Sequence, residues 1–166
     1  MNDTGDLNFE ANASMDITVT ASDGKYSTDA VISIAITDVN EAPLLGVSGF
    51  SLAEQSAIDT VVGVLIATDE DGDPLSFSIV NNDDNNMDGT EAFRIEGSNL
   101  IVNDPDDLDF ESGPLRSIAI RVDDGALATT SPVVINLSDI DDAPVITLPA
   151  MAEVSEGSDL VFSVAG

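Results

Sequence analysis

Apolar and polar residues alternate along much of the chain in short runs, the spacing of a β-strand with one buried face. In one of these runs Ile118, Ile120 and Val122 recur at every second position. This spacing predicts that their side chains point into a core and that the rest of the run faces largely to solvent. Arg116 and Arg121 are predicted to lie on the solvent side.

Seven such runs, rich in β-branched residues and separated by turn-forming residues, lie between residues 44 and 144. No segment shows a 3.6-residue apolar period of useful length, so the chain is predicted to be all-β. Seven strands are enough for a Greek-key β-sandwich. The predicted strands lie near residues 47–53, 60–68, 75–80, 92–96, 98–103, 115–122 and 131–138.

Three motifs recur along the chain with one spacing of 101 residues, from Leu7 to Leu108, from Asp23 to Asp124 and from Asp38 to Asp139. A shared register at three motifs indicates a tandem domain of about 100 residues. We expect the C-terminal part of one repeat at 1–43, a complete repeat at 44–144 and the start of a third at 145–166. The paired motifs are Leu7-Asn8-Phe9-Glu10 with Leu108-Asp109-Phe110-Glu111, Asp23-Gly24 with Asp124-Gly125, and Asp38-Val39-Asn40-Glu41-Ala42-Pro43 with Asp139-Ile140-Asp141-Asp142-Ala143-Pro144.

The charge of the chain is strongly one-sided: 32 acidic residues face four basic ones, a formal net charge of −28, yet 43% of the residues are hydrophobic. That apolar content predicts a folded chain in spite of the self-repulsion. Two carboxylates about 4 Å apart repel by roughly 4 kcal/mol at an effective dielectric near 20, so clustered acids need a cation or a proton. Nucleic acid is a poor partner because it is bound through Lys and Arg.

The chain has neither Cys nor His, so disulfides and thiolate or imidazole metal sites are not available. Oxygen ligands remain, and these suit calcium or magnesium. General bases and nucleophiles are limited to carboxylates, hydroxyls and Lys25, which predicts that the chain is not an enzyme. No stretch approaches the roughly 18 apolar residues of a membrane span, so this segment is not expected to insert into a membrane.

One acidic segment, Asp69-Glu70-Asp71-Gly72-Asp73, follows directly after an apolar run. Aspartates at every second position around a Gly can bend around one cation. A solvated Asp-Gly turn is the alternative. Other acids flank Gly, Pro or the end of an apolar run in the same way: Glu54, Asp109, Glu111, Asp124, Asp38, Glu41, Asp139 and Asp142.

Taken in order along the chain, these motifs resemble those of a cadherin repeat. They are Glu54, Ala67-Thr68-Asp69-Glu70-Asp71, Leu108-Asp109-Phe110-Glu111, Asp124-Gly125 and Asp139-Ile140-Asp141-Asp142-Ala143-Pro144. The resemblance covers the whole chain. It implies a cadherin- or immunoglobulin-like, seven-stranded Greek-key β-sandwich with Ca²⁺ bound between successive repeats.

The resemblance also implies the calcium ligands of two junctions. At the first junction they are Glu10, Asp38, Asn40 through its carbonyl, Glu41, Asp69, Asp71 and Asp124. At the second junction they are Glu54, Asp109, Glu111, Asp139, Asp141 through its carbonyl, and Asp142. Asn8, Asp73 and Asp23 are further candidates. Both linkers are one residue shorter than the usual cadherin linker, so we expect about one to three ions at each junction.

A second acidic segment, Asp84-Asn85-Asn86-Met87-Asp88-Gly89, matches the first half of an EF-hand loop. Its twelfth position is Ile95, where the EF-hand loop has a Glu that binds the ion. A solvated hairpin loop is therefore the favoured interpretation, and an isolated extra calcium site is the alternative.

These observations together predict a calcium-binding structural module of a multi-repeat cell-surface or secreted adhesin, whose array calcium makes rigid for cell or matrix adhesion. Its expected partners are neighbouring repeats of the same chain, with homophilic or polysaccharide contacts as further options. The expected location is extracellular or at the surface of a bacterium, in a membrane-associated parent protein. The alternative is a carbohydrate-binding β-sandwich module, although the chain has no Trp and one Tyr to form a sugar-stacking platform.

Overall fold

The first two strands, β1 (Ser14–Ser22) and β2 (Ser27–Ala35), form an antiparallel hairpin. The structure is a computed structural model and describes residues 7–143. Asp23 organises the turn, because its Oδ1 accepts hydrogen bonds from the N–H groups of Lys25 and Tyr26 at 2.9 and 2.7 Å. The predicted third repeat, 145–166, lies outside the described residues.

One face of this hairpin is apolar and exposed. Met15 pairs with Ile34 and Ile17 pairs with Ile32 across the two strands. These four side chains, together with Val19, are 37–52% exposed. The alternation predicted for this part of the chain is therefore formed, but the described residues do not bury it.

Nine further strands follow in chain order. They are β3 (Leu44–Leu45), β4 (Gly49–Ala53), β5 (Val61–Val64), β6 (Ala67–Thr68), β7 (Ser76–Asn81), β8 (Phe93–Glu96), β9 (Asn99–Val102), β10 (Leu115–Asp123) and β11 (Ala128–Ser138). A short 3-10 helix, Pro105–Asp107, lies between β9 and β10 and is capped by the side chain of Asp104.

The strands β3 to β11 form the predicted sandwich. One sheet has the order β4-β11-β10-β7, in which β4 runs parallel to β11 and the other neighbours are antiparallel. The three-stranded sheet β5-β9-β8 forms the other layer, and β3 and β6 form a separate short antiparallel pair. The core between the two layers includes Phe93, Leu100, Val102, Ile118, Ile120, Val122, Val133 and Ile135.

The predicted strand 60–68 is two strands in the structure. β5 pairs with β9, whereas β6 pairs with β3, and the chain changes partner at Leu65 and Ile66. The continuous apolar run gave no sign of this break. The change of partner is relevant to the candidate site because β6 ends at Thr68, directly before the acidic loop that begins at Asp69.

The prediction that Arg116 faces solvent is wrong. Arg116 is 5% exposed and lies on the same side of β10 as Ile118, Ile120 and Val122. Its guanidinium donates hydrogen bonds to the carbonyl oxygens of Asp107, Gly113 and Asp109 at 3.0, 3.0 and 2.8 Å. These acceptors replace water and make the burial of the charge tolerable.

The favoured interpretation of residues 84–89 as a hairpin loop is also wrong. Residues 82–92 connect β7, in the four-stranded sheet, to β8, in the three-stranded sheet. This connection therefore crosses between the two layers of the sandwich. It packs against the 3-10 helix, where Asn86 N–H donates to Asp107 Oδ1 at 2.8 Å.

Candidate metal centres

The acidic loop after β6 uses one oxygen of Asp69 to hold itself together. Asp69 Oδ1 accepts hydrogen bonds from the N–H groups of Asp71 at 3.1 Å and Asp73 at 3.4 Å. Gly72, with φ +77°, supplies the left-handed conformation that the turn requires. Asp69 Oδ2 is buried and has no hydrogen-bond partner. One oxygen thus remains available to a further partner.

The linker before β3, residues 38–43, is hydrogen-bonded to this loop. Glu41 N–H donates to Asp71 Oδ2 at 3.0 Å. Asn40 Nδ2 donates to Asp124 Oδ2 at 3.0 Å, and Asp124 follows directly after β10. The linker is therefore bound to two loops of the sandwich by residues that belong to the predicted ligand set.

Carboxylates from three segments meet at this linker. Glu10 precedes β1, Glu41 lies in the linker and Asp71 follows β6, and one oxygen of each lies within 4.8 Å of the other two. We call Glu10, Glu41 and Asp71 the first cluster. An open cleft beside it is lined by Phe9, Glu10, Asp38, Asn40, Asp71 and Asp73.

The first cluster carries negative charge that the described residues do not neutralise. Partial desolvation raises the pKa of Glu41, and repulsion from Glu10, Asp71 and other nearby carboxylates raises it further. Desolvation likewise raises the pKa of Asp38, followed by repulsion from Asp71. Glu41 Oε2 is buried and has no hydrogen-bond partner. An all-oxygen donor set with unpartnered buried oxygens fits a hard divalent cation such as Ca²⁺.

The three further candidates have different surroundings. Asn8 Oδ1 accepts from Ala11 N–H at 2.6 Å, and Asn8 Nδ2 donates to Glu70 at 3.1 Å. Asp73 is exposed and lines the cleft. Asp23 lies at the turn of the β1–β2 hairpin, at the opposite end from the linker. The structure therefore does not bring Asp23 to the first cluster.

A second cluster consists of Glu54, Asp109 and Glu111, which again bring one oxygen each to within 4.8 Å of one another. Glu54 is 1% exposed. Its Oε1 accepts from Ile140 N–H at 2.6 Å and its Oε2 from Phe110 N–H at 2.8 Å. These hydrogen bonds, that from Ile140 first, lower the pKa of Glu54. This carboxylate is therefore stabilised in its charged form by the protein itself.

The linker acids Asp139, Asp141 and Asp142 are exposed. A backbone hydrogen bond lowers the pKa of Glu111, but desolvation and repulsion from Glu54, Asp139 and Asp142 outweigh it, and the pKa is raised. Asp139 and Asp142 thus add negative charge at the second cluster, and Asp141 lies between them in the linker.

The ligand set predicted from the sequence omits two side chains at these junctions. Gln55 Nε2 donates to Asp142 Oδ1, and Glu70 accepts the hydrogen bond from Asn8. Gln55 therefore links the end of β4 to the second linker, and Glu70 links the acidic loop to the segment before β1. Their only signal in the sequence is that each directly follows a predicted ligand.

The carbohydrate-binding alternative gains no support from the described residues. Tyr26, 67% exposed, is the one exposed aromatic side chain within residues 7–143. A sugar-stacking platform uses a larger exposed aromatic surface than one ring.

Known proteins match most of the chain. Mouse Protocadherin Fat 2 is 31% identical over 153 residues, which cover 85% of this chain and 3% of that protein. Human Protocadherin Fat 1 is 27% identical over 149 residues, which cover 83% of this chain and 3% of that protein. The chain thus spans about 3% of the length of the curated relatives it matches. No family model matches the chain.

Solved structures share the architecture. The human desmocollin-1 ectodomain gives a TM-score of 0.55 at 23% identity, over 80% of this chain and 27% of that one. The repeat is cadherin-like. Human protocadherin-24 EC1-2 gives a TM-score of 0.52 at 18% identity, over 81% of this chain and 70% of that one. The predicted all-β Greek-key sandwich is confirmed by the sheets and by these structures.

The cadherin-domain relatives are non-enzymatic adhesion proteins, and the prediction that this chain is not an enzyme agrees with them. The related proteins are extracellular, and cadherin domains in general bind calcium. The bacterial source stays a prediction. Residues 7–143 include no helix with the length and apolar character of a membrane span.

Proposed function

We propose that this cadherin-like chain is a calcium-binding structural module of a multi-repeat bacterial surface adhesin. Calcium bound at the linkers would hold neighbouring repeats in one orientation, so that the array acts as a rod. The partners in this role are the adjacent repeats of the same chain. The domain map, a partial repeat at 1–43 followed by a complete one at 44–144, is part of the proposal.

The observation that supports it best is the first cluster. Its three carboxylates come from the segment before β1, from the linker and from the sandwich, and their oxygens lie within 4.8 Å of one another. Glu41, the carboxylate that the linker contributes, has a buried oxygen without a hydrogen-bond partner. Without a cation these three segments repel one another, and with one they share it.

The remaining predicted ligands fit the same role. Asp38, Asn40, Asp69 and Asp124 surround the first cluster, and the acids of the second linker extend the second cluster. Each bound ion would join a linker to the sandwich and neutralise charge at that point. Calcium therefore supplies both cohesion and stiffness, and extracellular modules of this kind bind it at roughly 10⁻⁴ to 10⁻³ M.

The test is a thermal melt combined with small-angle X-ray scattering on the 166-residue chain in EDTA, in calcium up to about 10 mM and in equal magnesium. We expect calcium to raise the melting temperature, because binding to the folded state stabilises it. We also expect a longer and stiffer particle. An unchanged melt and an unchanged shape would contradict the proposal, and an equal response to magnesium would reduce it to general charge screening.

A matched pair of variants locates the effect. Asp71→Asn removes one charge from the first cluster, whereas Asp29→Asn removes one charge from an exposed position in β2. The proposal requires at least tenfold weaker calcium binding at one step in the first variant and parental binding in the second, both measured by isothermal titration calorimetry. Equal calcium binding by both would show that the first cluster is not a metal centre.

A further inference from the structure

The turn that carries Asp109 and Glu111 is held by one buried guanidinium group. Arg116 Nη2 donates to the carbonyl oxygen of Asp109 at 2.8 Å, and Arg116 Nη1 donates to that of Gly113 at 3.0 Å. These carbonyl groups lie at the two ends of residues 109–113, which we call the cluster turn. Because Arg116 is 5% exposed, water competes little for its hydrogen bonds. Both ends of the cluster turn are therefore tied to the same side chain.

Arg116 also joins the cluster turn to two other segments. Its Nε donates to the carbonyl oxygen of Asp107, in the 3-10 helix, at 3.0 Å and lies 3.0 Å from Asp83 Oδ2, in the crossover between β7 and β8. Ser112 Oγ accepts from Arg116 Nη2 at 2.9 Å and from Asn85 Nδ2, again in the crossover, at 2.7 Å. The planar guanidinium can hold several acceptors at once because its donors form a rigid fork.

The conformation of the cluster turn determines where the Asp109 carboxylate points. Asp109 Oδ1 accepts hydrogen bonds from the N–H groups of Glu111 at 3.0 Å and Ser112 at 3.2 Å. Phe110 N–H, in the same turn, donates to Glu54 Oε2 at 2.8 Å. With these bonds in place, one oxygen each of Glu54, Asp109 and Glu111 lies within 4.8 Å of the other two. A change in the turn would therefore separate the carboxylates of the second cluster.

The segment before β1 is a natural comparison, because different residues stand at the positions that form this network. At the 101-residue spacing they are Met15 for Arg116, Asn12 for Gly113 and Ala11 for Ser112. The thioether of Met15 has no hydrogen-bond donor. Local hydrogen bonds close that segment: Ala11 N–H donates to Asn8 Oδ1 at 2.6 Å, and Asn12 N–H donates to the carbonyl oxygen of Asn8 at 3.0 Å. Glu10 of the first cluster is thus held without the guanidinium that the second cluster has.

We propose that Arg116 is a positioning residue of the second cluster. By holding the cluster turn in place, it keeps the carboxylates of Asp109 and Glu111 directed at Glu54 before an ion arrives. The inference rests on the proposed binding of calcium at this cluster. Arg116 does not contact the ion; it raises the affinity because the ligands need not be ordered when the ion binds. Side chains that orient the ligands of a metal in this way typically contribute about 10- to 100-fold to its affinity.

The test is a calcium titration of the 166-residue chain, followed by amide NMR so that each cluster is measured separately. Arg116→Met introduces the residue that stands at the matching position before the first linker. We expect the midpoint calcium concentration to rise about tenfold or more for the signals of residues 109–113. The midpoint for residues 69–73, at the first cluster, should stay parental. A loss of overall stability in a chain that is still folded would not produce this difference between the sites.

Arg94→Met is the matched control. It removes the same charge from a side chain that pairs with Asp59 and Glu96, outside both clusters, so both midpoints should stay parental. If residues 109–113 of the parent do not respond to calcium, the second cluster is not a metal centre, and the proposed function fails there together with this inference. If the parent responds and Arg116→Met responds at the same calcium concentration, this inference alone is overturned.

Arg116→Lys separates geometry from charge. The ammonium keeps a positive charge near Asp83 but cannot hold the same set of carbonyl groups, so the midpoint for residues 109–113 should also rise. Circular dichroism verifies folding, and the lysine variant carries the test if Arg116→Met does not fold. A parental midpoint in the folded lysine variant would show that charge alone matters and would overturn the positioning role.

A second measurement needs no ion. In EDTA, hydrogen exchange at the N–H groups of Glu111 and Ser112 should be faster in the Arg116 variants than in the parent, because their acceptor, Asp109 Oδ1, is no longer held in place. Exchange in β11 should change less. Parental exchange at Glu111 and Ser112, or an equal increase in β11, would overturn the inference whatever the calcium titration shows.

Discussion

The two linker clusters contain the same number of carboxylates but differ in what surrounds them. In the second cluster, both oxygens of Glu54 accept backbone hydrogen bonds, from Ile140 and Phe110. In the first cluster, Glu41 Oε2 is buried and unpartnered. The pKa values of these two carboxylates follow the difference: that of Glu54 is lowered, whereas that of Glu41 is raised, as is that of Glu111 in the second cluster. The number of acids therefore does not indicate how strongly a site requires a cation. The number of backbone N–H groups that donate to those acids is the better indicator.

This contrast assigns the clusters different tasks. Glu54 joins the end of β4 to the segment after the 3-10 helix and to the second linker, with or without an ion. The carboxylates of the first cluster repel one another, so without a cation they contribute little cohesion. We therefore expect mutations in the second cluster to affect the fold in EDTA, and mutations in the first cluster to affect the response to calcium.

The largest expected effect comes from Glu54→Ala. The change leaves the N–H groups of Phe110 and Ile140 without their charged acceptor and opens a cavity where Glu54 was buried, and we expect the melting temperature in EDTA to fall by roughly 5–10 °C. Differential scanning calorimetry measures this loss, with Glu91→Ala as the control at an exposed site. A parental melt for Glu54→Ala would remove the contrast between the clusters.

A smaller and opposite effect is expected from Glu41→Gln. In EDTA the variant should melt at or slightly above the parental temperature, because one raised-pKa carboxylate in a repelling group is neutralised. The rise in melting temperature on adding calcium should fall to about half or less. Glu91→Gln should retain the full calcium response. If Glu41→Gln also retained it, Glu41 would not be a ligand.

The smallest expected effect is the dependence on pH in EDTA. Carboxylates with raised pKa, Glu41 and Asp38, gain protons more readily in the folded state, so their contribution to stability is present at low pH and is lost as pH rises through their folded pKa. Glu54 and Asp124, whose pKa values are lowered, contribute stability that is lost as pH falls through theirs.

Melting temperatures in EDTA should therefore rise as pH falls towards the ordinary pKa of Glu41, and should fall again as pH drops below that of Asp124. The ordinary pKa values, 4.5 for Glu41 and 3.8 for Asp124, set these two limits. Glu41→Gln should flatten the first limb and leave the second unchanged. A monotonic decrease from pH 7 would contradict the assignment of repulsion to the first cluster.

Most of the sandwich could be predicted from the sequence because alternation in a half-buried strand is a local property. Ile118, Ile120 and Val122 are buried as their spacing predicts. Connections between sheets are not local, and they account for the errors. The sequence between Asn82 and Ala92 contains no sign that β7 and β8 belong to different sheets, so a crossover was indistinguishable from a hairpin.

The candidate metal centres show the same difference between what depends on local sequence and what depends on the tertiary fold. The motifs that carry the resemblance to a cadherin repeat imply Glu10, Glu41 and Asp71 as ligands, and the structure brings these three together. The motifs do not reveal that Glu54 is already satisfied by backbone N–H groups, because those donors depend on the tertiary fold. Nor does the segment Asp104-Pro105-Asp106-Asp107 indicate which of its aspartates is buried. That outcome depends on how the 3-10 helix lies against the crossover.

The exposed apolar face of the β1–β2 hairpin affects how readily copies of this 166-residue chain associate in solution. Its positions correspond, at the 101-residue spacing, to strand positions in β10 and β11 that are fully buried: Ile17 to Ile118 and Ile32 to Val133. The formal charge of −28 keeps such faces apart between copies by mutual repulsion. Each calcium ion that binds cancels two of those charges. A cation that stiffens the linkers as proposed would therefore also lower the barrier to contact between copies, and calcium concentration would change rigidity and solubility in opposite directions.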